Sequence, residues 1–305
     1  MKTKILHSYG NREIQEYEYD LGPMQPNQML IKTLYTGICR SDIEQYLGHI
    51  AIPFGHFGHE SIGEVIEVGP DVTSYEVGNI VASRNDPAFS EYFYADEKNT
   101  VRIGEASPKY IIEPIACSVN IAERVFSHKP IEHDILFVGS GFIANIAAQY
   151  IHQQRPDIKI YVVGRHNRKE WQNIHATFIS FDEIKKRNKT FSTIVELTGK
   201  RENFDNIMEI AEPGAFICLA AAFDEPITTN FWSALWNNYT FAFPSPRDKK
   251  FHKYMQTASL SIYLNYIDAD WVWTHEYAAY DFKRAFEESV ERTTKERFVR
   301  SYLKW

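Results

Sequence analysis

The stretch HDILFVGSGFIANIAAQYIHQQRPDIKIYVVGRHNRKEW, residues 133–171, decides the fold. It contains an apolar strand, a glycine turn, an apolar helix and a second apolar strand, which is the order of a β-α-β unit. The turn has the pattern Gly139-x-Gly141-x-x-Ala144. In such a turn the first glycine permits the sharp bend, the second lets a phosphate approach the backbone, and the third small residue lets helix and strand pack closely. The stretch therefore predicts a dinucleotide-binding unit.

The turn and the end of the second strand predict how the cofactor is bound. Because a helix N-terminus attracts the pyrophosphate, the predicted cofactor-binding residues of the turn are Gly139, Gly141, Phe142 and Ile143. An NAD site usually has an acidic residue after the second strand, but here the sequence is GRHNRK. Arg165 and Arg168 stand there, and guanidinium groups bind a 2′-phosphate that a carboxylate would repel. These residues favour NADP(H) over NAD(H), with a solvated basic loop as the alternative.

The chain after this unit continues to alternate strands and helices. Apolar strands are expected at 191–199, 214–221 and 238–243, with a helix over 201–213 between the first two. Such alternation implies a parallel, doubly wound sheet, so the predicted fold class is α/β.

The first hundred residues follow a different pattern and predict a β-rich unit. Strands separated by turn residues are expected at 28–36, 60–69, 78–83 and 90–95. Only residues 41–47 have a helical pattern in this part of the chain. Helical spacing returns at 112–126, and the tail is expected to be helical as well, in the segments 252–267 and 280–293.

Length, net charge, apolar runs and cysteine spacing indicate which broad classes of protein the sequence does not fit. The 305 residues suffice for two domains, each with its own core. The net charge of −7 argues against nonspecific nucleic-acid binding, which needs a basic face. No stretch approaches the roughly 18 unbroken apolar residues of a membrane span, and the N-terminus lacks a secretory signal pattern. Cys39, Cys117 and Cys218 are too far apart to suggest a disulfide framework, so we expect a reducing cytoplasm.

Four residues in three short motifs of the first 113 residues carry thiol, imidazole or carboxylate side chains and are candidate metal ligands. Cys39 precedes the short helix, His59 and Glu60 adjoin in GHE, and Glu113 belongs to the dipeptide EP. These are the ligand types of catalytic zinc, which keeps one position open for water or substrate. Each also has a simpler interpretation: a small buried residue for the cysteine, a surface position for the His-Glu pair, and a helix start for Glu113.

In their order along the chain, the motifs resemble a known superfamily. The sequence contains GICRSD from Gly37, GHE from Gly58, EP at Glu113, and then the glycine turn. Over nearly the whole chain this order resembles the zinc-dependent medium-chain dehydrogenase/reductase superfamily. Further likenesses are VGNIV at 77–81, FSEY at 89–92, ELTG at 196–199 and PGA at 213–215.

The resemblance implies a fold and a division of the chain. It implies an α/β protein in which a Rossmann doubly wound parallel sheet is joined to a β-rich, GroES-like catalytic domain. We expect the Rossmann domain over residues 117–258. The catalytic domain is expected over residues 1–116 and 259–305.

The same resemblance implies one catalytic zinc. Cys39 and His59 are its expected ligands, together with either Glu60 or Glu113, and the other carboxylate is expected to stand in reserve. Many members of the superfamily also carry a lobe of four cysteines that binds a structural zinc. Here ASRNDPAFSEY passes directly from one strand to the next without a cysteine, so no structural zinc of that type is expected.

Two sets of residues indicate which branch of the superfamily the sequence resembles and which substrate it is expected to use. Glu113-Pro114 with Ala122-Glu123-Arg124 resembles the polyol, or sorbitol-type, dehydrogenases. IYVVGRHNRK and the ending SYLKW are most similar to the ribitol-5-phosphate dehydrogenases, which reduce ribulose 5-phosphate with NADPH. One alternative is an NAD(P)-dependent polyol, amino-sugar or secondary-alcohol dehydrogenase of a biosynthetic cluster, and another is a non-catalytic nucleotide-binding sensor. A small-molecule substrate and a homo-oligomer, dimer or tetramer, are the expected partners, with no nucleic acid and no membrane.

The resemblance also gives expected roles to four further residues. Ser41 is expected to exchange a proton with the substrate oxygen, and either Glu44 or water to carry that proton onward. Many relatives have a histidine at position 44, so Glu44 departs from their pattern. Arg40 is expected to contact the cofactor pyrophosphate, unless it is simply solvated. Arg247, in the sequence SPR, is expected to hold a substrate phosphate, unless it belongs to a basic turn before a helix.

Ser41-x-x-Glu44 has a second interpretation, because its spacing is that of a capping box at the start of a helix. In a capping box each side chain accepts a hydrogen bond from the backbone of the other residue. Such a helix start would hold Cys39 rigidly just ahead of it, which a catalytic ligand requires. The two roles compete, since a side chain that caps the helix is not free to carry a proton.

Overall fold

A computed structural model describes residues 1–128, 134–166, 168–223, 226–227, 231–292 and 297–305. Within these residues the chain divides into two compact units. Unit 1 comprises Met1–Ile115 and Met255–Trp305, and unit 2 comprises Ala116–Tyr254. No helix within the described ranges is long and apolar enough to cross a membrane.

The first part of unit 1 is made of short strands, as the sequence predicts. These strands are β1 (Lys2–Gly10), β2 (Glu13–Asp20), β3 (Gln28–Gly37), β4 (Ser61–Val68), β5 (Ile80–Ser83), β6 (Tyr92–Asp96) and β7 (Thr100–Arg102). Helix α1 (Arg40–Leu47) lies between β3 and β4. Met29, Val65 and Phe93 are fully buried and pack together, because alternate residues of a strand face the same side of a sheet.

Unit 2 begins within helix α2 (Ile112–His128) and then alternates strands with helices. Its strands are β8 (Asp134–Val138), β9 (Lys159–Val163), β10 (Thr177–Phe178), β11 (Phe191–Glu196), β12 (Ala211–Leu219) and β13 (Thr240–Ala242). Its helices are α3 (Phe142–Gln154), α4 (Phe181–Lys186), α5 (Arg201–Ile210) and α6 (Phe231–Trp236).

The strands of unit 2 form one parallel sheet in the order β10-β9-β8-β11-β12-β13. This is the order 3-2-1-4-5-6 of a Rossmann sheet, so the predicted doubly wound fold is confirmed. The strand order reverses between β8 and β11, and ligands of such sheets bind beyond the carboxyl ends of the strands at that point. Leu136, Ile194 and Ile217 are fully buried and belong to the hydrophobic core of this unit.

The tail of the chain returns to unit 1 and contains strands as well as helices. Helix α7 (Phe251–Tyr263) is followed by β14 (Trp273–Ala278), α8 (Phe282–Glu291) and β15 (Arg300–Lys304). The helices predicted in the segments 252–267 and 280–293 are present as α7 and α8, whereas β14 and β15 lie outside those segments and were not expected. β15 pairs antiparallel with β3 and parallel with β14, and the pairing with β3 joins residues far apart in sequence, which no local pattern reveals. Short 3-10 helices cover Glu97–Asn99, Pro108–Tyr110, Arg168–Ile174 and Ala279–Asp281.

The sheet of unit 1 brings two segments of the candidate site together. Its strand order is β14-β15-β3-β4-β5-β7, and β6 also pairs with β3. In the antiparallel pair of β3 and β4, Thr36 lies opposite Ser61. The chain just after β3 and the chain just before β4 are therefore neighbours, and each carries predicted metal ligands.

Candidate metal centre and cofactor turn

Cys39 lies at the start of α1, where the helix fixes its backbone. It has extended dihedral angles, φ −83° and ψ 159°, and immediately precedes Arg40, the first helical residue. The Cys39 amide donates a hydrogen bond of 2.8 Å to Asp42 Oδ2. The capping pair is thus Cys39 with Asp42, and the expected pair of Ser41 with Glu44 is wrong. A Ser41 cap would require the helix to begin at Asp42.

Ser41 and Glu44 are both available for roles other than capping, although to different degrees. Glu44 Oε1 lies 2.6 Å from Arg40 Nη2, and Glu44 Oε2 lies 2.6 Å from His49 Nδ1. The Ser41 hydroxyl forms no hydrogen bond with any residue that the structure describes. Ser41 can therefore bond to a ligand without breaking an existing contact, whereas Glu44 is already engaged by two basic side chains.

Cys39, His59 and Glu60 meet in space, as the order of strands requires. One donor atom from each, the thiol sulfur, an imidazole nitrogen and a carboxylate oxygen, lies within 4.8 Å of the other two. Glu60 is fully buried, whereas Cys39 and His59 are partly exposed. We call these three residues the donor set. Because the set is partly exposed, a further ligand can reach it, and a catalytic metal centre needs such an open position.

Asp42, which the sequence analysis does not include among the site residues, lies beside the imidazole of His59 and orients it. Its Oδ1 atom lies 3.5 Å from His59 Nδ1, and its side chain is fully buried. The other ring nitrogen, Nε2, lies 4.0 Å from Glu60 Oε1. A carboxylate beside one nitrogen of a ligating histidine favours a proton there and leaves the other nitrogen for metal. The signal in the sequence is the spacing Cys39-x-x-Asp42.

The electrostatic environment holds a proton on His59 when no metal competes for it. Burial by itself lowers the pKa of His59, but the Asp42 carboxylate and the Cys39 sulfur outweigh it and raise this pKa well above the ordinary value. A metal ligand must be deprotonated, so metal and proton compete for the imidazole. Metal affinity at this centre should therefore fall as the pH is lowered.

Arg300 compensates the charge of Glu60, and no motif in the sequence identifies Arg300 as a site residue. Its Nη2 atom lies 2.8 Å and 3.0 Å from the two Glu60 carboxylate oxygens and donates a further hydrogen bond of 2.6 Å to the Ile38 carbonyl. The guanidinium also lies 4.6 Å from the centre of the Trp273 ring, a cation–π distance. This buried arginine compensates the charge of the fully buried Glu60 carboxylate.

Glu113, the other predicted carboxylate ligand, lies close to the same centre. It is buried near the start of α2, with Oε1 at 3.4 Å from Arg84 Nε. Burial raises the pKa of Glu113, the positive charges of His59 and Arg84 lower it, and the negative charge of Glu60 raises it further. These influences place Glu113 within electrostatic range of the donor set, although its oxygens are not among the three atoms that lie within 4.8 Å of one another.

The donor set fits zinc in both chemistry and orientation. Thiolate, imidazole and carboxylate are zinc ligands, and three protein ligands with one open position are typical of catalytic zinc. The fit is supported by Asp42 Oδ1, a buried atom without a hydrogen-bond partner among the described residues. Metal on His59 Nε2 would fix the proton on Nδ1, which faces this oxygen.

The glycine turn of unit 2 has the geometry of a phosphate-binding turn. Gly139 has φ 115°, which favours glycine, and its amide donates to the Val163 carbonyl at 2.8 Å. Gly141 precedes Phe142, the first residue of α3. A Cβ atom at Gly141 would meet no atom within 4 Å, so the space beside the start of α3 is open. Ile143 follows in the first turn of the same helix.

The residues after β9 carry positive charge and no carboxylate at the position of an NAD-type acid. Gly164 packs tightly on Ser140, because a Cβ atom at Gly164 would lie 2.4 Å from the Ser140 side chain. The His166 amide donates to Ser140 Oγ at 3.3 Å, which fixes the course of the loop. Arg165 lies between them and is exposed. The side chain of Arg168, also predicted to contact the cofactor, lies outside the described part of the chain.

The two remaining predicted arginines lie in different units. Arg40 belongs to unit 1, is largely exposed and is paired with Glu44. Arg247 belongs to unit 2, is exposed, and its amide donates to Ser245 Oγ at 3.2 Å. Neither side chain forms part of the donor set.

Comparison with known proteins identifies the family of the N-terminal part. Residues 25–105 match the family described as alcohol dehydrogenase GroES-like domain. A probable cinnamyl alcohol dehydrogenase from Saccharum officinarum is 44% identical over 71 residues, which cover 21% of this chain and 18% of that protein. The chain therefore matches less than a fifth of the length of this curated relative.

Solved structures resemble the whole chain at low identity. A short chain alcohol dehydrogenase (rspB) from E. coli CFT073, complexed with NADH, has a TM-score of 0.83 and 19% identity, covering 100% of this chain and 99% of its own. S. aureus TarJ in complex with NADPH has a TM-score of 0.82, 18% identity and the same coverage. Galactitol-1-phosphate dehydrogenase from E. coli has a TM-score of 0.77 and 17% identity, covering 100% of both chains. At these identities the likeness establishes the fold alone.

Residues 25–105 thus match the alcohol dehydrogenase GroES-like family, and the whole chain shares its fold with the solved alcohol and polyol-phosphate dehydrogenases named above. The resemblance inferred from the motifs is therefore confirmed for the family of residues 25–105 and for the fold of the whole chain.

Proposed function

We propose that the protein is a zinc-dependent NADP(H) oxidoreductase that reduces a ketose phosphate to a polyol phosphate, of the type ribulose 5-phosphate to ribitol 5-phosphate. The observation that carries this proposal is the donor set of Cys39, His59 and Glu60, whose donor atoms lie within 4.8 Å of one another in a chain that also contains a Rossmann sheet. A protein that only senses a nucleotide has no evident use for such donors, so the enzyme is favoured over the sensor.

Cys39, His59 and Glu60 are the proposed zinc ligands, with Glu113 as a nearby carboxylate in reserve. Glu60 is preferred because its oxygen, unlike those of Glu113, belongs to the compact donor set. When bound, zinc supplies a Lewis acid that favours negative charge on the substrate oxygen. Arg300 keeps Glu60 in place by hydrogen bonds to both of its oxygens.

The proton path of the proposed reaction begins at Ser41. Its hydroxyl has no other partner among the described residues and exchanges a proton with the substrate oxygen. Glu44, on the same helix, carries the proton onward with His49, whose exposed imidazole is hydrogen-bonded to it at 2.6 Å. His49 gives this path an outlet to solvent that the sequence did not suggest.

The proposed preference for NADP(H) rests on charge at the end of β9. Arg165 is exposed, and its guanidinium suits a ribose 2′-phosphate, for which a carboxylate at this position would be unfavourable. The backbone around Gly141 is open for the pyrophosphate. Arg40 is a proposed contact to the pyrophosphate, and Arg168 a second contact to the 2′-phosphate.

The proposed phosphate on the substrate is matched by Arg247 and the lysines beside it. Arg247, Lys249 and Lys250 are exposed in the segment between β13 and α7. Galactitol-1-phosphate dehydrogenase, which has this fold, acts by its name on a phosphorylated polyol, which supports the same substrate class here. We further propose a cytoplasmic location, a homo-oligomer, and a catalytic domain of residues 1–116 and 259–305 with a Rossmann domain of residues 117–258.

The test of the proposed function is oxidation of NADPH and NADH over a panel of ketones. Ribulose 5-phosphate with NADPH is expected to give the highest kcat/KM, with unphosphorylated ribulose well below it. Equal efficiency with both ketoses would remove the phosphate role from Arg247. Reduction of simple ketones alone would instead indicate a secondary-alcohol dehydrogenase.

Arg165→Asp is expected to reverse the choice of cofactor. A carboxylate at this position repels the 2′-phosphate and can bond to the ribose hydroxyl of NAD, so kcat/KM with NADPH should fall roughly 10- to 100-fold while that with NADH rises. Both values follow from steady-state kinetics at fixed ketose concentration. Arg187→Asp, the same charge change at an exposed position after α4, should leave the ratio unchanged. An unchanged ratio in Arg165→Asp would show that Arg165 does not bind the cofactor.

A further inference from the structure

Asn85 is a side chain that the proposed chemistry leaves unexplained. It lies in the loop after β5, and both its Oδ1 and its Nδ2 atoms are buried without a hydrogen-bond partner among the described residues. Buried amides are normally hydrogen-bonded, because one end donates, the other accepts, and leaving either unpaired is unfavourable. Within the described ranges, Asn85 is the side chain in which two such atoms lack a partner.

The loop that holds Asn85, residues 84–87, lies against the segment that carries His59 and Glu60. At its start, the Ser61 hydroxyl donates to the Ser83 carbonyl at 3.2 Å. At its end, the Ala88 amide donates to the Gly58 carbonyl at 3.2 Å. Since Gly58 and Ser61 flank the two donor residues, the loop is anchored on both sides of them.

The loop is also tied to the segment before Cys39. The Thr36 hydroxyl, near the end of β3, donates to the Ala88 carbonyl at 3.0 Å. Asn85 therefore lies in a loop that contacts each of the two chain segments carrying the proposed zinc ligands.

The neighbours of Asn85 in the loop are charged and have partners. Arg84 Nε lies 3.4 Å from Glu113 Oε1, and Asp86 Oδ2 lies 3.7 Å from His56 Nδ1. Burial raises the pKa of Asp86, and the positive charge of His59 is the largest influence that lowers it. The loop is thus within electrostatic range of the metal centre, and Asn85 is the neutral polar residue between two charged ones.

We propose that Asn85 is a substrate-binding residue whose amide recognises a hydroxyl group next to the reacting carbon of a polyhydroxylated substrate. A hydroxyl both donates and accepts hydrogen bonds, and the amide offers both functions at once. Asn85 is neutral, so the recognition requires no charge on that part of the substrate. The inference rests on the proposed function and adds the group that distinguishes a polyol from a simple alcohol.

The proposed contact predicts selectivity as well as binding. A ketone without a neighbouring hydroxyl would leave the Asn85 amide unpaired in the complex. Sites built to bond a hydroxyl reject analogues that lack it, because their buried polar groups then have no partner. Asn85 therefore favours ketoses over simple ketones of similar size.

Asn85→Leu tests this proposal, because leucine has a similar size and no polar atoms. We expect kcat/KM for ribulose 5-phosphate to fall roughly 10- to 100-fold, with little change for 2-butanone. The Tm of the substrate-free protein should stay the same or rise, because two buried unpaired atoms are removed. Asn27→Leu, the same substitution at an exposed position of unit 1, should leave both kinetic values unchanged.

Three further cases distinguish recognition by Asn85 from a purely structural role of this residue and from a failure of the proposed function. Equal losses of kcat/KM for both ketones in a folded Asn85→Leu protein would overturn the role of Asn85 in recognition. If Asn85→Leu does not fold, Asn85→Asp keeps the shape and removes the donor, and it should still lose selectivity for the ketose. If the wild-type protein reduces no ketone, the proposed function fails, and stabilisation of the zinc-loaded protein by ribitol 5-phosphate then tests the contact. Stabilisation of the wild type but not of Asn85→Leu supports the proposal, and equal or absent stabilisation contradicts it.

Discussion

Cys39→Ala is expected to reduce ketose reduction by at least about 10³-fold in kcat/KM, because a Lewis-acid metal contributes several kcal/mol to transition-state stabilisation. The substitution removes the only sulfur of the donor set and keeps the Cys39 amide, which donates to Asp42 Oδ2 at the start of α1. Zinc content and steady-state kinetics, measured on the same preparation, check the result.

Cys218→Ala is the matched control for this substitution. Cys218 is fully buried in β12, and burial raises the pKa of its thiol to about 12, so it remains a neutral thiol. The control protein should retain its zinc and its kcat/KM. If Cys39→Ala keeps one zinc and activity within tenfold of the wild type, Cys39 is not a ligand of a catalytic metal.

Arg300→Met is expected to destabilise the metal-free protein by about 3–5 kcal/mol. The reason is that Glu60 would remain fully buried with its compensating charge removed, and the Ile38 carbonyl would lose a donor. The free energy of unfolding, measured with denaturant in the presence of a chelator, checks this value without a contribution from zinc.

Two controls separate the buried charge from a general defect in β15. The double variant Glu60→Leu with Arg300→Met removes both charges and should recover most of the lost stability, since a buried ion pair can be replaced by apolar groups at little cost. Lys304→Met removes an exposed cation of the same strand, 3.6 Å from Glu276, and should change stability by less than about 1 kcal/mol. If Arg300→Met is as stable as Lys304→Met, the buried pair does not stabilise the fold.

The parts of the site that the sequence predicts are those in short motifs. Cys39 lies within GIC, and His59 and Glu60 are adjacent in GHE, so each is recognisable without knowledge of the fold. The glycine turn is recognisable for the same reason, because the strand and helix on either side of it are local patterns.

The parts that the sequence did not predict depend on contacts between distant residues or on a shift of one helix start. Arg300 is 240 residues away from Glu60 and reaches it because β15 pairs with β3. The spacing Ser41-x-x-Glu44 indicates a capping box that does not include Asp42. The true helix start, at Arg40, directs Asp42 toward both the Cys39 amide and His59.

The zinc content of the purified wild-type protein is the most direct test of the proposed metal centre. We expect about one zinc per chain, loss of NADPH-dependent ketone reduction after chelation, and its return when zinc is added back. A protein that contains no zinc, gains nothing from added zinc and is unaffected by chelation would contradict the assignment of Cys39, His59 and Glu60 as a catalytic metal centre.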